Sequence, residues 1–222
     1  MVGVGPVEPE RYSRRDSAVK ALRGAVLAGY MPRSAMSGRA EELFGNPDPR
    51  VRSAALGALH RQGWLTPERA AGALGDPDPL VRRRVCELAG ASPGSYLGIG
   101  ELVGALEDPD PLVAEMAAWA LGEHGAVEEE TGEESVTTGL SAMASGHPDP
   151  LCREAAVGAL GARADPTTLA TVISALEDRP AIRRRAAVAL AAFDDPAADE
   201  ALRSCLADRD WQVRQVAEEL LA

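Results

Sequence analysis

The sequence predicts an all-α fold, a right-handed α-α superhelix (α-solenoid) of about six stacked two-helix units preceded by a capping helix. Aromatic residues make up only 4% of the 222-residue chain, and Ala and Leu recur in short blocks. Such residues favour closely packed helices over sheets. One block of sequence also recurs six times, and a period of this length indicates stacked helical units. We therefore expect residues 1–12 to form a flexible tail and residues 13–222 to form a single repeat domain.

The recurring block joins a proline-rich turn to an amphipathic helix, and its clearest copy is DPDPLVRRRVCELAG, beginning at Asp76. The first apolar residue after the turn, here called the register residue, is Val51, Val81, Val113, Cys152, Ile182 and Val213 in the successive copies. These residues are spaced by 30, 32, 39, 30 and 31 positions. The spacing predicts units near 34–63, 64–91, 95–124, 125–162, 165–193 and 195–222.

The helices are predicted in chain order from the turns that separate them. A capping helix is expected at about 15–30, and the first helices of the six units are expected near 35–45, 67–75, 97–107, 135–145, 167–177 and 196–207. Each second helix begins at the turn, because proline ends one helix and suits the first turn of the next. The second turn aspartate, such as Asp78, is placed to cap that helix. Glycines near the helix ends are expected as C-terminal caps: Gly63, Gly90, Gly125 and Gly161.

The turn aspartate followed by a Val-Arg pair, as in Asp76, Val81 and Arg82, resembles the HEAT repeat. It is particularly similar to the short HEAT-like repeats of phycobilin lyases, and the resemblance covers residues ~34–222. The resemblance implies that the arginine after the register residue pairs with turn aspartates of adjoining units, with Ala114 as the exception. The implied structural ladder consists of Asp48, Arg52, Asp78, Arg82, Asp110, Asp149, Arg153, Arg183, Asp210 and Arg214. An anion-binding stripe is the functional alternative for these arginines.

Three kinds of enzyme are built from HEAT-like repeats, and each requires residues that can be sought in this sequence. Deoxyhypusine hydroxylases hold iron with His-Glu dipeptides, but Arg153 stands at that position and no His-Glu pair occurs. HEAT-like alkylpurine DNA glycosylases need a basic surface, whereas this chain has a formal charge of −11, which disfavours DNA. Nothing in the residues points to a bilin or to lyase activity. A HEAT-like enzyme or nucleic-acid repair factor similar to the alkylpurine glycosylases, or an accessory chain of a larger complex such as a chromophore lyase-type one, remains the alternative.

No motif for catalysis, for a cofactor or for a metal is present. We therefore expect no enzyme activity, no cofactor and no metal site. Cys86, Cys152 and Cys205 form no C-x-x-C pair, so neither zinc nor a disulfide framework is expected. With no apolar run of ~20 residues and no signal peptide, a cytoplasmic protein without a membrane segment is expected.

The expected function is a non-catalytic scaffold or adaptor that binds a protein or peptide on the concave face formed by second helices. Trp119 lies one step off the apolar stripe of its helix, and tryptophan is enriched at binding hot spots. Trp119 is therefore the predicted anchor, surrounded by Glu87, Glu115, Glu154 and Arg184. The structural alternative is that Trp119 fills space beside Gly122 and Gly158.

The long fourth unit contains an acidic insertion at 125–139, with five glutamates. We expect a solvated loop there, because runs of like charge usually remain exposed. Docking of a basic partner is the alternative.

Overall fold

The structure is a computed structural model that describes residues 9–30, 39–124 and 130–222. It is all-helical in these ranges. The helices are α1 (Pro9–Ala28), α2 (Arg39–Phe44), α3 (Pro49–Gln62), α4 (Pro67–Leu74), α5 (Pro79–Ala91), α6 (Ile99–Ala105), α7 (Pro111–Glu123), α8 (Glu130–Gly146), α9 (Pro150–Arg163), α10 (Leu169–Ser174), α11 (Pro180–Leu190), α12 (Pro196–Ser204) and α13 (Trp211–Leu221). Short 3-10 turns precede or follow α10 and α12.

The helices form two layers. The second helices of the units stack in chain order, from α3 through α5, α7, α9 and α11 to α13, and α1 packs beside α3 at the start of this row. Each even-numbered helix from α2 to α12 packs on the second helix of its own unit. The predicted α-solenoid is therefore confirmed, with α1 at the end of the second-helix layer.

The register residues explain where the core lies. All six are buried, with exposures of 0% or 1%: Val51, Val81, Val113, Cys152, Ile182 and Val213. They continue into one apolar stripe per helix, because residues four, seven and eight positions later lie on the same helical face. The stripe faces neighbouring helices on both sides, so each unit is stabilised mainly by its neighbours.

The turns begin the second helices as expected. The carboxylate of Asp78 accepts a hydrogen bond from the backbone N–H of Leu80 at 2.9 Å, and Pro79 is the first helical residue. The same cap is made by the corresponding aspartates of four other turns, Asp48, Asp110, Asp149 and Asp210. The turn at Arg179 lacks a side-chain cap, because arginine has no acceptor atom.

Two predicted boundaries are wrong. Helix α1 begins at Pro9, so residues 9–12 belong to a helix and not to the predicted tail, while residues 1–8 lie outside the described residues. Helix α8 begins at Glu130, so most of the predicted acidic loop at 125–139 is helical. An ion pair between Glu133 and Arg163 of α9 anchors this part of the glutamate run. Residues 125–129 lie outside the described residues.

The glycines near the helix ends play two different roles. Gly63 has a φ of 68° and caps α3 in the left-handed conformation. Gly90 and Gly161 lie inside α5 and α9, so their prediction as caps is wrong. A methyl group at Gly161 would lie 2.7 Å from Cα of Ala189, which shows that glycine is needed there for close helix contact. Gly125 lies outside the described residues.

Candidate functional site

A groove of about 750 Å³ crosses α5, α7 and α9 on the second-helix layer. We call it the central groove and define it by its aromatic and charged lining residues Arg83, Glu87, Glu115, Trp119, Glu123, Glu154 and Arg185. Trp119 lies on the middle helix and is 38% exposed. The structure thus brings Trp119 together with three of the four residues predicted to surround it.

The indole of Trp119 is packed on one side and open on the other. A methyl group at Gly90 would lie 2.4 Å from Cζ3 of Trp119 and 3.0 Å from Cα of Ala120, so the ring rests directly on the backbone of α5. Glycine makes this contact because any larger side chain would occupy the place of the ring. Trp119 is therefore positioned by Gly90 while part of its surface remains accessible in the groove.

The glycines predicted to leave room for Trp119 contact other residues. A methyl group at Gly122 would lie 3.0 Å from Cα of Ala159, and one at Gly158 would lie 3.3 Å from Cδ of Arg185. Gly122 thus permits close approach of α7 and α9, and Gly158 accommodates an arginine. The glycine that contacts the ring of Trp119 is Gly90 of the preceding unit, and the sequence did not predict this contact.

Carboxylates dominate the charge of the central groove. Glu87 pairs with Arg84 at 2.8 Å, and Glu154 lies 3.6 Å from the guanidinium of Arg185. Within the part of the chain that the structure describes, Glu115 and Glu123 make no ion pair. The groove therefore has two carboxylates available to a cationic ligand group.

Arg184 was predicted to surround Trp119, but this prediction is wrong. Its Nη1 donates to Oε1 of Gln212 on α13 at 3.2 Å, whereas Arg185 lines the groove. The difference follows from the direction in which each side chain points. Arg184, two positions after the register residue, points toward the following helix α13, whereas Arg185, three positions after it, points toward the preceding helix α9. Arg83 and Arg185, which line the groove, were not proposed as binding residues.

An arginine–aspartate ladder connects neighbouring units along the turns. Arg82 donates from Nε and Nη2 to both carboxylate oxygens of Asp108, at 2.7 and 2.8 Å, and from Nη1 to the carbonyl of Asp76 at 2.9 Å. The same bidentate pairing joins Arg52 to Asp76, Arg153 to Asp178 and Arg183 to Asp208. Bidentate arginine–carboxylate pairs fix geometry as well as adding energy.

The ladder uses different aspartates from those predicted. The predicted carboxylates Asp48, Asp78, Asp110, Asp149 and Asp210 cap helices instead. The first acidic residue of each turn makes the pair, because it lies beside the arginine of the preceding unit. Arg214 belongs to the same register and donates to the carbonyl of Asp208 at 2.7 Å.

Burial and hydrogen bonding act in opposite directions on the ladder carboxylates. Burial is the largest single effect at Asp76 and Asp108 and raises their pKa. The hydrogen bonds from Arg52 and Arg82, a backbone N–H bond and the nearby positive charge together outweigh it, so both pKa values lie below the ordinary range. At Asp178 and Asp208 the arginine hydrogen bond is the largest effect, and it also lowers the pKa. All four carboxylates are therefore charged at neutral pH.

The ladder is interrupted at the junction of α7 and α9, which we call the central junction. Ala114 stands in place of the arginine, and His147 stands in place of the turn aspartate. His147 keeps the turn, since its Nδ1 lies 3.1 Å from the backbone N–H of Asp149. Both partners of one ion pair are thus replaced where α7, the helix that contains Trp119, meets α9.

Other contacts hold the central junction. The side chain of Arg163 is 1% exposed; it pairs with Glu133 of α8 and donates to the carbonyl of Leu121 on α7 at 2.9 Å. The thiol of Cys152 donates to the carbonyl of Pro111 at 3.2 Å. Ala117 and Ala118 on α7 are fully buried. A buried arginine and small side chains thus replace the ladder pair.

Among the described residues, no group of three or more His, Cys, Asp or Glu side chains is arranged to hold a metal ion. Within the same ranges, none of the helices combines the length and the apolar character required to cross a bilayer.

Models of HEAT repeats match residues 66–133 and 137–222. Among solved structures, the chain is similar to the Escherichia coli protein YibA, with 15% identity over 99% of this chain and 77% of that chain and a TM-score of 0.63. It is similar to an engineered protein with 20% identity over 82% of this chain and 96% of that one, with a TM-score of 0.60. A designed armadillo repeat protein in complex with the peptide (KR)4 shares 17% identity over 90% of this chain and 98% of its own, with a TM-score of 0.55. These likenesses are likenesses of fold, and among curated proteins none matches the sequence.

Proposed function

Because the chain belongs to the HEAT-repeat family, we propose that it is a non-catalytic scaffold that binds an extended peptide segment of a partner protein in the central groove. The observation that carries this proposal is Trp119, whose ring is held from below by Gly90 and is 38% exposed in the groove. Stacked units make extended surfaces of this kind. Repeat-protein folds commonly serve as interaction scaffolds.

Pre-organisation favours binding at Trp119. An aromatic ring that is already fixed against backbone loses little conformational entropy when a ligand covers its open side. Met116 and Leu151 add apolar surface to the same groove. A ligand side chain that lies on Trp119 therefore gains apolar contact without ordering a mobile residue, which is typical of an interface hot spot.

The charges of the groove favour a ligand with a cationic side chain. Glu115 and Glu123 lie on the same helix as Trp119, and Glu154 faces them from α9. A lysine or arginine over the indole would combine a cation–π contact with carboxylate pairing. A designed armadillo repeat protein of similar fold forms a complex with the basic peptide (KR)4, which supports a cationic peptide as the ligand. The same carboxylates oppose nucleic-acid phosphates.

The proposal also includes a repeat subfamily and a cellular compartment. The short units, with spacings of 30 to 32 residues at four of five steps, support placement among the phycobilin lyase-type HEAT-like repeats, as a scaffold and not as a lyase. Three buried free cysteines support a reducing compartment such as the cytoplasm. An accessory chain of a larger complex would use the same groove.

The test uses a displayed library of short random peptides, selected on the wild-type chain and then measured singly by fluorescence anisotropy. Trp119→Ala should weaken binding of the selected peptides by about 30-fold or more, equivalent to ~2 kcal/mol, because the anchor is lost. Trp211→Ala is the matched control, since Trp211 is 62% exposed on α13. Circular dichroism checks that both variants keep their helicity.

Equal binding by wild type and Trp119→Ala, with helicity intact, would contradict the proposal. Failure to select any peptide on the wild-type chain would contradict it as well. Loss of helicity in Trp119→Ala would show that the ring is structural, and Trp119→Phe would then test the anchor with a smaller change.

A further inference from the structure

A second groove of about 420 Å³ lies next to the central groove, between α1, α3 and α5. We call it the upstream groove and define it by Tyr30, Arg50, Arg61, Arg83 and Arg84. Arg83 and Glu87 line both grooves, so the two form one continuous surface. Its charge changes sign along the stack, from arginines on the upstream side to carboxylates on the central side.

Two arginines of the upstream groove have no carboxylate partner among the described residues. Nε of Arg83 is buried and has no hydrogen-bond partner, which is costly for a charged group. The guanidinium of Arg61 lies 4.9 Å from the ring centroid of Tyr30 and packs against Gly29. By contrast, Arg50 and Arg84 pair with Asp48 and Glu87. Arg83 and Arg61 are therefore positioned cations without an anion.

An acidic ligand side chain in the upstream groove would be attracted by both groups. A carboxylate in the groove would pair with the guanidinium of Arg83, which has no anionic partner among the described residues, and charge-assisted bonds of this kind are among the strong ones. The stack of Arg61 on Tyr30 holds a second cation at the same groove. The groove on the other side of Arg83 is lined by Glu115 and Glu123 and would repel the same ligand group.

We propose that the surface binds one peptide segment of mixed charge in a single orientation. An acidic side chain of the segment lies at Arg83 and Arg61, and a cationic side chain lies over Trp119 beside Glu115 and Glu123. This inference rests on the proposed function and extends it, because it specifies the charge pattern of the partner. Opposite charges at the two grooves exclude the reversed orientation.

The stacking of the helices sets the spacing in the ligand. The upstream groove lies at the step from α3 to α5, and the ring of Trp119 lies at the next step, where α7 packs on Gly90 of α5. At about 8–10 Å per step, the two positions lie roughly 10 Å apart. An extended chain advances about 3.3 Å per residue, so the acidic and cationic residues should be separated by about three positions.

The test repeats the random-peptide selection with Arg83→Glu and with Arg61→Glu as baits. The wild-type chain should enrich peptides with an acidic and a cationic position about three residues apart. Both variants should lose the acidic enrichment and keep the cationic one. Arg203→Glu is the matched control, because it makes the same charge change on α12, where Arg203 is 61% exposed. It should leave both enrichments unchanged.

A peptide from the wild-type selection then tests the pairing directly. Replacing its acidic residue with the amide should weaken binding to the wild-type chain by about tenfold and should have little effect on the Arg83→Ala variant. Acidic enrichment that persists in Arg83→Glu and Arg61→Glu would overturn the inference, as would wild-type peptides without an acidic position. In both cases the dependence on Trp119 would remain, which separates this failure from failure of the proposed function.

Discussion

Neighbouring second helices are held together by different interactions at the four ladder junctions and at the central junction. At each ladder junction an arginine joins the turn of the next unit through a bidentate ion pair, as Arg82 does with Asp108. At the central junction Ala114 and His147 replace that pair, and Arg163 joins α9 to α7 and α8 from the opposite end of the helix. The junction that departs from the repeat joins α7, the helix that contains Trp119, to α9.

The comparison teaches that the repeat tolerates loss of one ladder pair when both partners are lost together. An arginine without its aspartate, or an aspartate without its arginine, would leave a partly buried charge without a partner, which costs more than the pair contributes. Ala114 is fully buried and leaves no such charge. The following predictions test whether the two kinds of junction depend on different interactions.

Acid should have the largest effect, because it acts on all four ladder pairs together. The pKa values of Asp76, Asp108, Asp178 and Asp208 are lowered in the folded chain. Their contribution to the free energy of unfolding is therefore complete above the unfolded value of about 3.9 and is lost as the pH falls through the lower folded values. Urea unfolding at a series of pH values should show this decline. The Asp108→Asn variant should lose less stability on acidification than the wild type, and an equal loss would contradict the ladder's role.

Arg163→Ala should destabilise the chain by about 3–5 kcal/mol, because it removes the buried guanidinium that pairs with Glu133 and donates to the carbonyl of Leu121. Urea unfolding measures the change. Arg203→Ala is the control, since Arg203 and Asp199 form an exposed pair at 3.5 Å that should contribute less than about 1 kcal/mol. If the two variants were equally stable, Arg163 would not hold the central junction.

Gly90→Ala should cost about 1–3 kcal/mol, because the added methyl group collides with the ring of Trp119. The tryptophan emission spectrum should shift as the ring is displaced. Gly72→Ala is the matched control: a methyl group there meets nothing within 4 Å, and helix propensity should stabilise α4 by up to about 1 kcal/mol. An unchanged spectrum in Gly90→Ala would show that Gly90 does not position the ring.

Restoring the ladder at the central junction should give the smallest effect. Ala114→Arg alone should destabilise the chain, since the new charge has no partner. Adding His147→Asp should recover about 0.5–3 kcal/mol in a double-mutant cycle measured by urea unfolding. If the two substitutions changed the free energy of unfolding additively, the new arginine and aspartate would not interact. The contact between α7 and α9 would then be too close for a ladder pair, and the central junction would differ in geometry as well as in charge.

The fold could be predicted from the sequence because the residues that end one helix and begin the next lie close together in the chain. The turn of Asp76, Pro77, Asp78 and Pro79 contains the residues that end and begin helices, and the buried register residues follow from their spacing alone. Trp119, Glu87, Glu115 and Glu154 were grouped correctly for the same reason, since repeats stack in register. These features needed no knowledge of distant contacts.

The contacts between units were not predictable in the same way. Which aspartate Arg82 reaches depends on the offset between neighbouring helices, so Asp108 was missed in favour of Asp110. The same offset places Arg185 in the groove and Arg184 outside it. Glu133 lies in a glutamate run typical of a loop, but its pairing with Arg163 depends on a residue 30 positions away.

The central claim is that the open side of Trp119 is a binding surface. The most direct measurement keeps Trp119 as the only tryptophan, with Trp64→Phe and Trp211→Phe, and records its emission and acrylamide quenching as a selected peptide is added. The account predicts a blue shift and protection from quenching that saturate with the anisotropy-measured affinity. A peptide that binds with that affinity while emission and quenching remain unchanged would contradict it.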